Sequence, residues 1–218
     1  MDQIPREPEP PAIVVFDVNI YLDIASLVGC PFSWERAVQI VSQNYSTQVP
    51  HPDKRIDSLR SVALTSSGTL IPTRPVQVWT SDHIDDLLVY KLTQDKIDGA
   101  LPEDTGFGWT GAEAEKVVRD LLYRTVESSN GQSIGELRIP RSTPPLSHED
   151  GLVCATGRNA YGGNELCDRF VVTRDRHFVE SCETGYPLAL HPSHFVQMVR
   201  TLRNLDAQRR MMPGRTNT

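Results

Sequence analysis

The run Ile13-Val14-Val15-Phe16 is apolar without alternation and rich in β-branched residues, and it ends directly on Asp17. Short unbroken apolar segments of this kind form strands buried on both faces, in sheets that helices cover. A carboxylate placed straight after such a strand belongs where the sheet opens to solvent, because an unpaired buried charge is too costly. Beyond Asp17 the period changes. Ile20, Leu22, Ile24, Ala25, Leu27 and Val28 suit a helix, which Gly29 and Pro31 end.

Strand and helix signals alternate along the rest of the chain. Trp34 to Gln43 reads as a second helix, and a short one is expected around Ile56 to Leu64, inside a loose, proline-containing connection from Asn44 to Pro75. Val76 to Trp79 reads as a second strand, with Ser81 as the N-cap of a helix over Asp82 to Leu92. Further helices are expected over Gly111 to Thr125 and, from the capping-box-like Ser-His-Glu-Asp at Ser147, through Ala160. The polar, proline-rich crossing between them reads as loop. Phe170 to Thr173 is a third strand, the region near Leu190 a fourth, and a last helix starts at Pro192 or Ser193. This order predicts an α/β protein with a central, mostly parallel sheet of four or five strands flanked by helices. Residues 1–11 read as a flexible proline-rich leader, 12–205 as one domain with 44–75 as an elaborated connection, and 206–218 as a polar tail.

Composition narrows the function classes. With 218 residues, 39% apolar and 23% charged, the chain suits one sizeable core. No apolar run approaches a membrane span, and the leader is acidic and proline-rich, so no membrane and a cytoplasmic location are expected. The cysteines at 30, 154, 167 and 182 form no C-x-x-C pair and read as reduced thiols. A net charge of −6 argues against a whole-surface polyanion binder. It leaves room for a local basic stripe, and arginines do concentrate between Arg138 and Arg215.

Acids recur at the predicted strand ends. Asp17 follows the first strand, Asp175 lies just past the third, Asp150 opens the helix before that strand, and Asp82, Asp85 and Asp86 follow the second. Ligands of parallel α/β sheets bind beyond the carboxyl ends of the strands. Converging carboxylates repel unless cations neutralise them, and hard oxygen donors suit Mg²⁺ or Mn²⁺. Each acid also has a plainer reading. Asp17 suits a helix N-terminus, Asp150 the fourth place of the Ser147 capping box, and Asp175 an ordinary turn. The histidines show no ligand spacing and read as surface or satisfied residues rather than zinc ligands.

The ordered set VVFDVN, an acidic helix start after the second strand, EDGLVCAT, FVVTRDRHF and a closing PSHF helix resembles the PIN-domain family, within it the bacterial VapC-like ribonuclease toxins. The resemblance runs from Ile13 to about Leu202 and implies a three-layer PIN-like domain. It implies that Asp17, Asp150 and Asp175 are catalytic, metal-binding acids, with Asn19 and Thr173 orienting them. The family's glutamate after the second strand has no counterpart at its expected place, where Leu87 stands. Asp86, one position earlier, is the best substitute metal ligand and Asp82 the next. Arg174 and Arg176 are candidate phosphate contacts. The implied activity is Mg²⁺- or Mn²⁺-dependent cleavage of RNA, leaving a 5'-phosphate and a 3'-hydroxyl. The implied partners are a small antitoxin protein and a second copy in a homodimer. Two alternatives stand beside it: an RNA-processing nuclease that is not a toxin, and a weakened PIN fold that binds nucleic acid or protein without cutting. A haloacid-dehalogenase-like phosphotransferase would need a second acid where Asn19 stands.

Overall fold

The computed structural model describes residues 10–99, 105–139, 146–164, 166–182 and 186–211. It begins with β1 (Ala12–Phe16), α1 (Val18–Val28), α2 (Trp34–Asn44) and α3 (Lys54–Thr65). A hairpin of β2 (Thr69–Ile71) and β3 (Arg74–Ser81) leads into α4 (Asp82–Thr93). α5 (Gly111–Val117) passes through a π-helical stretch, Val118–Tyr123, into α6 (Arg124–Ser128), and β4 (Ser133–Ile134) follows. The remaining elements are α7 (His148–Asn159), a 3-10 turn at Ala160–Gly163, β5 (Arg169–Val172), α8 (Arg176–Ser181), β6 (Leu188–Leu190) and α9 (Pro192–Met211).

The sheet order is β2-β3-β1-β5-β6, with β4 also paired to β3. β1 runs parallel to β3 and β5, β5 to β6, and β3 to β4; β2 alone is antiparallel to its neighbour. The architecture is therefore α/β with a mixed sheet of six strands, not the four or five expected. The two added strands are very short. β2 is held by its hairpin to β3, and β4 pairs only Ser133 and Ile134 with Thr80 and Ser81, inside the crossing read as loop. Neither has enough apolar residues to signal a strand by pattern.

Every residue of β1 and of β5 is buried. Since successive strand side chains point to opposite faces, both faces are covered there. α7 packs against β1, β3 and β5, while α9 packs on α3 and β2. β1 lies centrally, and the chain crosses from it first to β3 on one side and later to β5 on the other. That crevice beyond the carboxyl ends is the switch point where ligands of such sheets bind. Register aligns the three ends: Phe16 pairs Val172 and Val15 pairs Trp79, so Asp17, Thr173 and Ser81 all arrive at one rim.

The connection expected over 44–75 is more than an elaboration. α3 is buried along most of its length, packing on α1, α2 and α9, and it carries a buried Asp57–Arg60 ion pair at 2.8 Å. Arg60 also donates to the carbonyls of Asn44, Thr47 and Gln48, fixing the irregular approach to the helix. The polar tail expected from 206 is helical as far as Met211, because α9 continues past Leu205 with an Asp206–Arg210 ion pair one turn apart. Nearly all of the leader, residues 1–9, lies outside the described residues, as do residues 212–218.

Candidate active site

Asp17 stands between β1 and α1 as the N-cap of the helix, its Oδ1 accepting from the Val18 amide at 2.7 Å. Its Oδ2 accepts from Asn19 Nδ2 at 2.5 Å and from Thr173 Oγ1 at 2.6 Å. Asn19 Nδ2 also donates to Thr173 Oγ1 at 3.0 Å, while Asn19 Oδ1 accepts from the Arg174 amide at 3.0 Å. Thr173 Oγ1 accepts in turn from the Asp175 amide at 3.0 Å. The ends of two adjacent parallel strands are thus locked by one carboxylate, one amide and one hydroxyl. These are the residues expected to orient the site, and they do touch Asp17.

Asp175 caps α8 by accepting from the amides of His177 and Phe178, and is exposed. Asp150 lies in the first turn of α7, where its amide donates to Ser147 Oγ and Ser147 Oγ donates back to Asp150 Oδ2 at 2.8 Å. Thr156 Oγ1 ties the same helix to Ser81 Oγ at the end of β3, at 2.9 Å. Asp17 is only 8% exposed. Burial pushes its carboxyl up to about 6; the Thr173 hydrogen bond opposes this, and the charges of Asp150 and Asp175 add to it. Asp150 and Asp175 therefore both lie close enough to Asp17 for their charges to act on it.

The chemistry of this donor set suits a hard divalent cation, being three carboxylates without thiolate or imidazole. The Asn19 and Thr173 bonds fall on Asp17 Oδ2, and Oδ1 accepts only from the Val18 amide. Among the described residues, however, no three His, Cys, Asp or Glu side chains are drawn into a preformed metal cage. The caps explain the spacing: Asp150 and Asp175 each bend back to their own helix starts.

The other expected residues fall elsewhere. Asp86 and Asp82 are exposed on α4, and Asp86 acts on His83, Asp85 and Tyr123. The buried acid of α4 is Asp85, which accepts from Thr80 Oγ1 at 2.8 Å and from the Tyr123 hydroxyl, and whose carboxyl burial pushes up. Its spacing to Leu88 and Leu92 puts it on the apolar stripe of the helix, a signal present in the sequence. Arg174 is committed to an ion pair with Asp23, itself 8% exposed and held by Ser58 at 2.6 Å. Arg176 pairs with Glu180 at 2.6 Å on the α8 surface and is 90% exposed.

Comparison with protein-family models, with curated proteins and with solved structures finds no match to this chain. Among the described residues no helix is long and apolar enough to cross a membrane.

Proposed function

We propose that the protein is a Mg²⁺- or Mn²⁺-dependent endoribonuclease of the PIN type. The observation that carries this reading is the buried Asp17 at the switch point of the sheet, bound through Oδ2 by Asn19 and Thr173, with Thr173 Oγ1 in turn accepting from the Asp175 amide. In it, Asp17, Asp150 and Asp175 hold the cation. The chemistry supplied by a bound divalent ion is charge neutralisation on the phosphate and acidification of water. Asn19 and Thr173 hold Asp17 Oδ2 and the Val18 amide holds Oδ1, which fixes the orientation of the carboxylate. Burial strengthens each of these contacts relative to water. The substrate is RNA with an unpaired stretch, since a duplex cannot bring its backbone down to a recessed acid.

Leu87 standing where the family has its second acid, with Asp86 exposed on α4, favours a second reading, a PIN-like fold that binds nucleic acid or a protein without cutting. One assay separates the two: incubation of single-stranded RNA with the protein and Mg²⁺, beside Asp17→Asn and Asp150→Asn. Cleavage by the wild type alone supports the nuclease. Equal cleavage by all three removes the proposed site, and RNA binding without cleavage selects the binding module.

A toxin role, a small antitoxin that blocks the rim, and a homodimer extend the nuclease reading. Growth arrest on expression, relieved by Asp17→Asn, is the expected outcome. Unaffected growth with intact cleavage in vitro points to RNA processing instead.

A further inference from the structure

A groove of about 1470 Å³ begins at Asn19 and Asp175 and extends away from the rim past α1 and the start of α3. It is larger than the ~300–1,000 Å³ that small-molecule sites occupy. Its lining includes Phe107 and Trp109, half-buried rings in edge-to-face contact, with centroids 5.5 Å apart. These rings sit on a rigid mount. The amides of Gly106, Phe107, Gly108 and Trp109 donate to the carbonyls of Asp95, Lys91, Gln94 and Leu92, at 2.9–3.3 Å.

The charges of the groove are divided. Arg55 is bound to Asp53 and Arg174 to Asp23. Lys54 and Lys96 also line it and make no ion pair among the described residues, and neither does the lining carboxylate Asp98. Two fixed aromatic faces, two uncommitted ammonium groups and continuity with the acidic rim match a strand that offers unpaired bases and phosphates together.

Resting on the nuclease reading above, we propose that this groove is the path of single-stranded RNA. Successive bases stack on Phe107 and Trp109, whose rings stand perpendicular, and the flanking phosphates meet Lys54 and Lys96 on the way to Asp17. Stacking carries more of the affinity than charge does, since only two lysines are uncommitted. Binding therefore falls with salt along a shallow log–log slope of about −1.4, the value for two phosphate contacts on a single strand.

The test is fluorescence anisotropy with a labelled ten-nucleotide oligouridylate and the full chain in EDTA, which prevents cleavage. Trp109→Ala and Phe107→Ala are expected to weaken binding about 5- to 100-fold. Trp109→Phe retains a ring and should lose only a few-fold, and circular dichroism of each variant checks the fold. Lys54→Gln and Lys96→Gln should each flatten the salt slope. A duplex of the same length is expected to bind worse than the single strand. Unchanged affinity in folded Trp109→Ala and Phe107→Ala overturns the path, as does tighter binding of the duplex. The outcomes separate this claim from the nuclease itself. Wild-type cleavage with indifferent aromatic variants removes the groove and keeps the nuclease, whereas aromatic-dependent binding without any cleavage keeps the groove and removes the nuclease.

Discussion

Thr173 Oγ1 donates to Asp17 Oδ2 at 2.6 Å, joining residues 156 positions apart at the ends of neighbouring strands. The same oxygen accepts from Asn19 Nδ2 and from the Asp175 amide. Thr173→Val keeps the shape and removes all three bonds. It is expected to cost roughly 1–3 kcal/mol, the penalty of leaving buried polar groups unpaired. Because that hydrogen bond opposes the upward push on Asp17, its loss should raise the Asp17 carboxyl further. Urea unfolding measures the first effect, and carboxyl ¹³C shifts across a pH series measure the second.

The pH dependence has a definite sign. Asp17 goes from an ordinary value of 3.8 to about 6 in the folded protein, so the native state holds a proton that the unfolded chain has lost. Stability contributed by this group is present below pH 4, falls between about pH 4 and 6, and is absent above. The full difference corresponds to about 3 kcal/mol. Asp17→Asn should flatten this part of the stability–pH curve. On the nuclease reading Mg²⁺ relieves the same penalty, raising the wild-type melting temperature at pH 8 by roughly 2–4 °C per kcal/mol of binding and leaving Asp17→Asn unmoved. A wild type indifferent to millimolar Mg²⁺ and Mn²⁺ would remove the cation from the proposal.

Much of this site was legible because it is local. Asp17 and Asn19 follow an unmistakable buried strand, and Thr173 and Asp175 follow another, so adjacency in the sequence became adjacency at the rim. Commitments made by tertiary packing were not legible. Arg174 beside an acid at a strand end reads like a phosphate contact, yet its partner Asp23 lies 151 positions away. On α4 the resemblance points to Asp86, whereas the acid on the apolar stripe, and the one that is buried, is Asp85. Among the strands, β4 has two residues and depends wholly on β3 for its existence.

Arg174 and Arg176, alike in the sequence, should separate in stability. Arg174→Ala leaves buried Asp23 with the Ser58 hydrogen bond and only the nearby charge of Arg55, a loss of about 1–3 kcal/mol once partial exposure of the arginine is allowed for. Arg176→Ala breaks only an exposed pair within one helix and should change stability by less than about 0.5 kcal/mol. Chemical denaturation of the two variants checks this directly. Equal stabilities would mean that the Arg174–Asp23 pair contributes nothing in solution.

Gly106 links the fold to the groove. A Cβ at this position would sit 1.9 Å from the Gln94 carbonyl oxygen, a backbone atom that cannot rotate away. Gly106→Ala must therefore displace the segment that hydrogen-bonds to the end of α4 and carries Phe107 and Trp109. Overpacking of this kind costs about 1–3 kcal/mol. It should also shift the tryptophan emission and weaken oligouridylate binding in the same direction as Trp109→Ala. Gly111→Ala is the matched control. Its Cβ meets nothing within 4 Å and it lies at the start of α5, so stability should stay level or rise. If Gly106→Ala lowers stability and leaves RNA affinity intact, the aromatic mount is structural and the RNA path lies elsewhere on the rim.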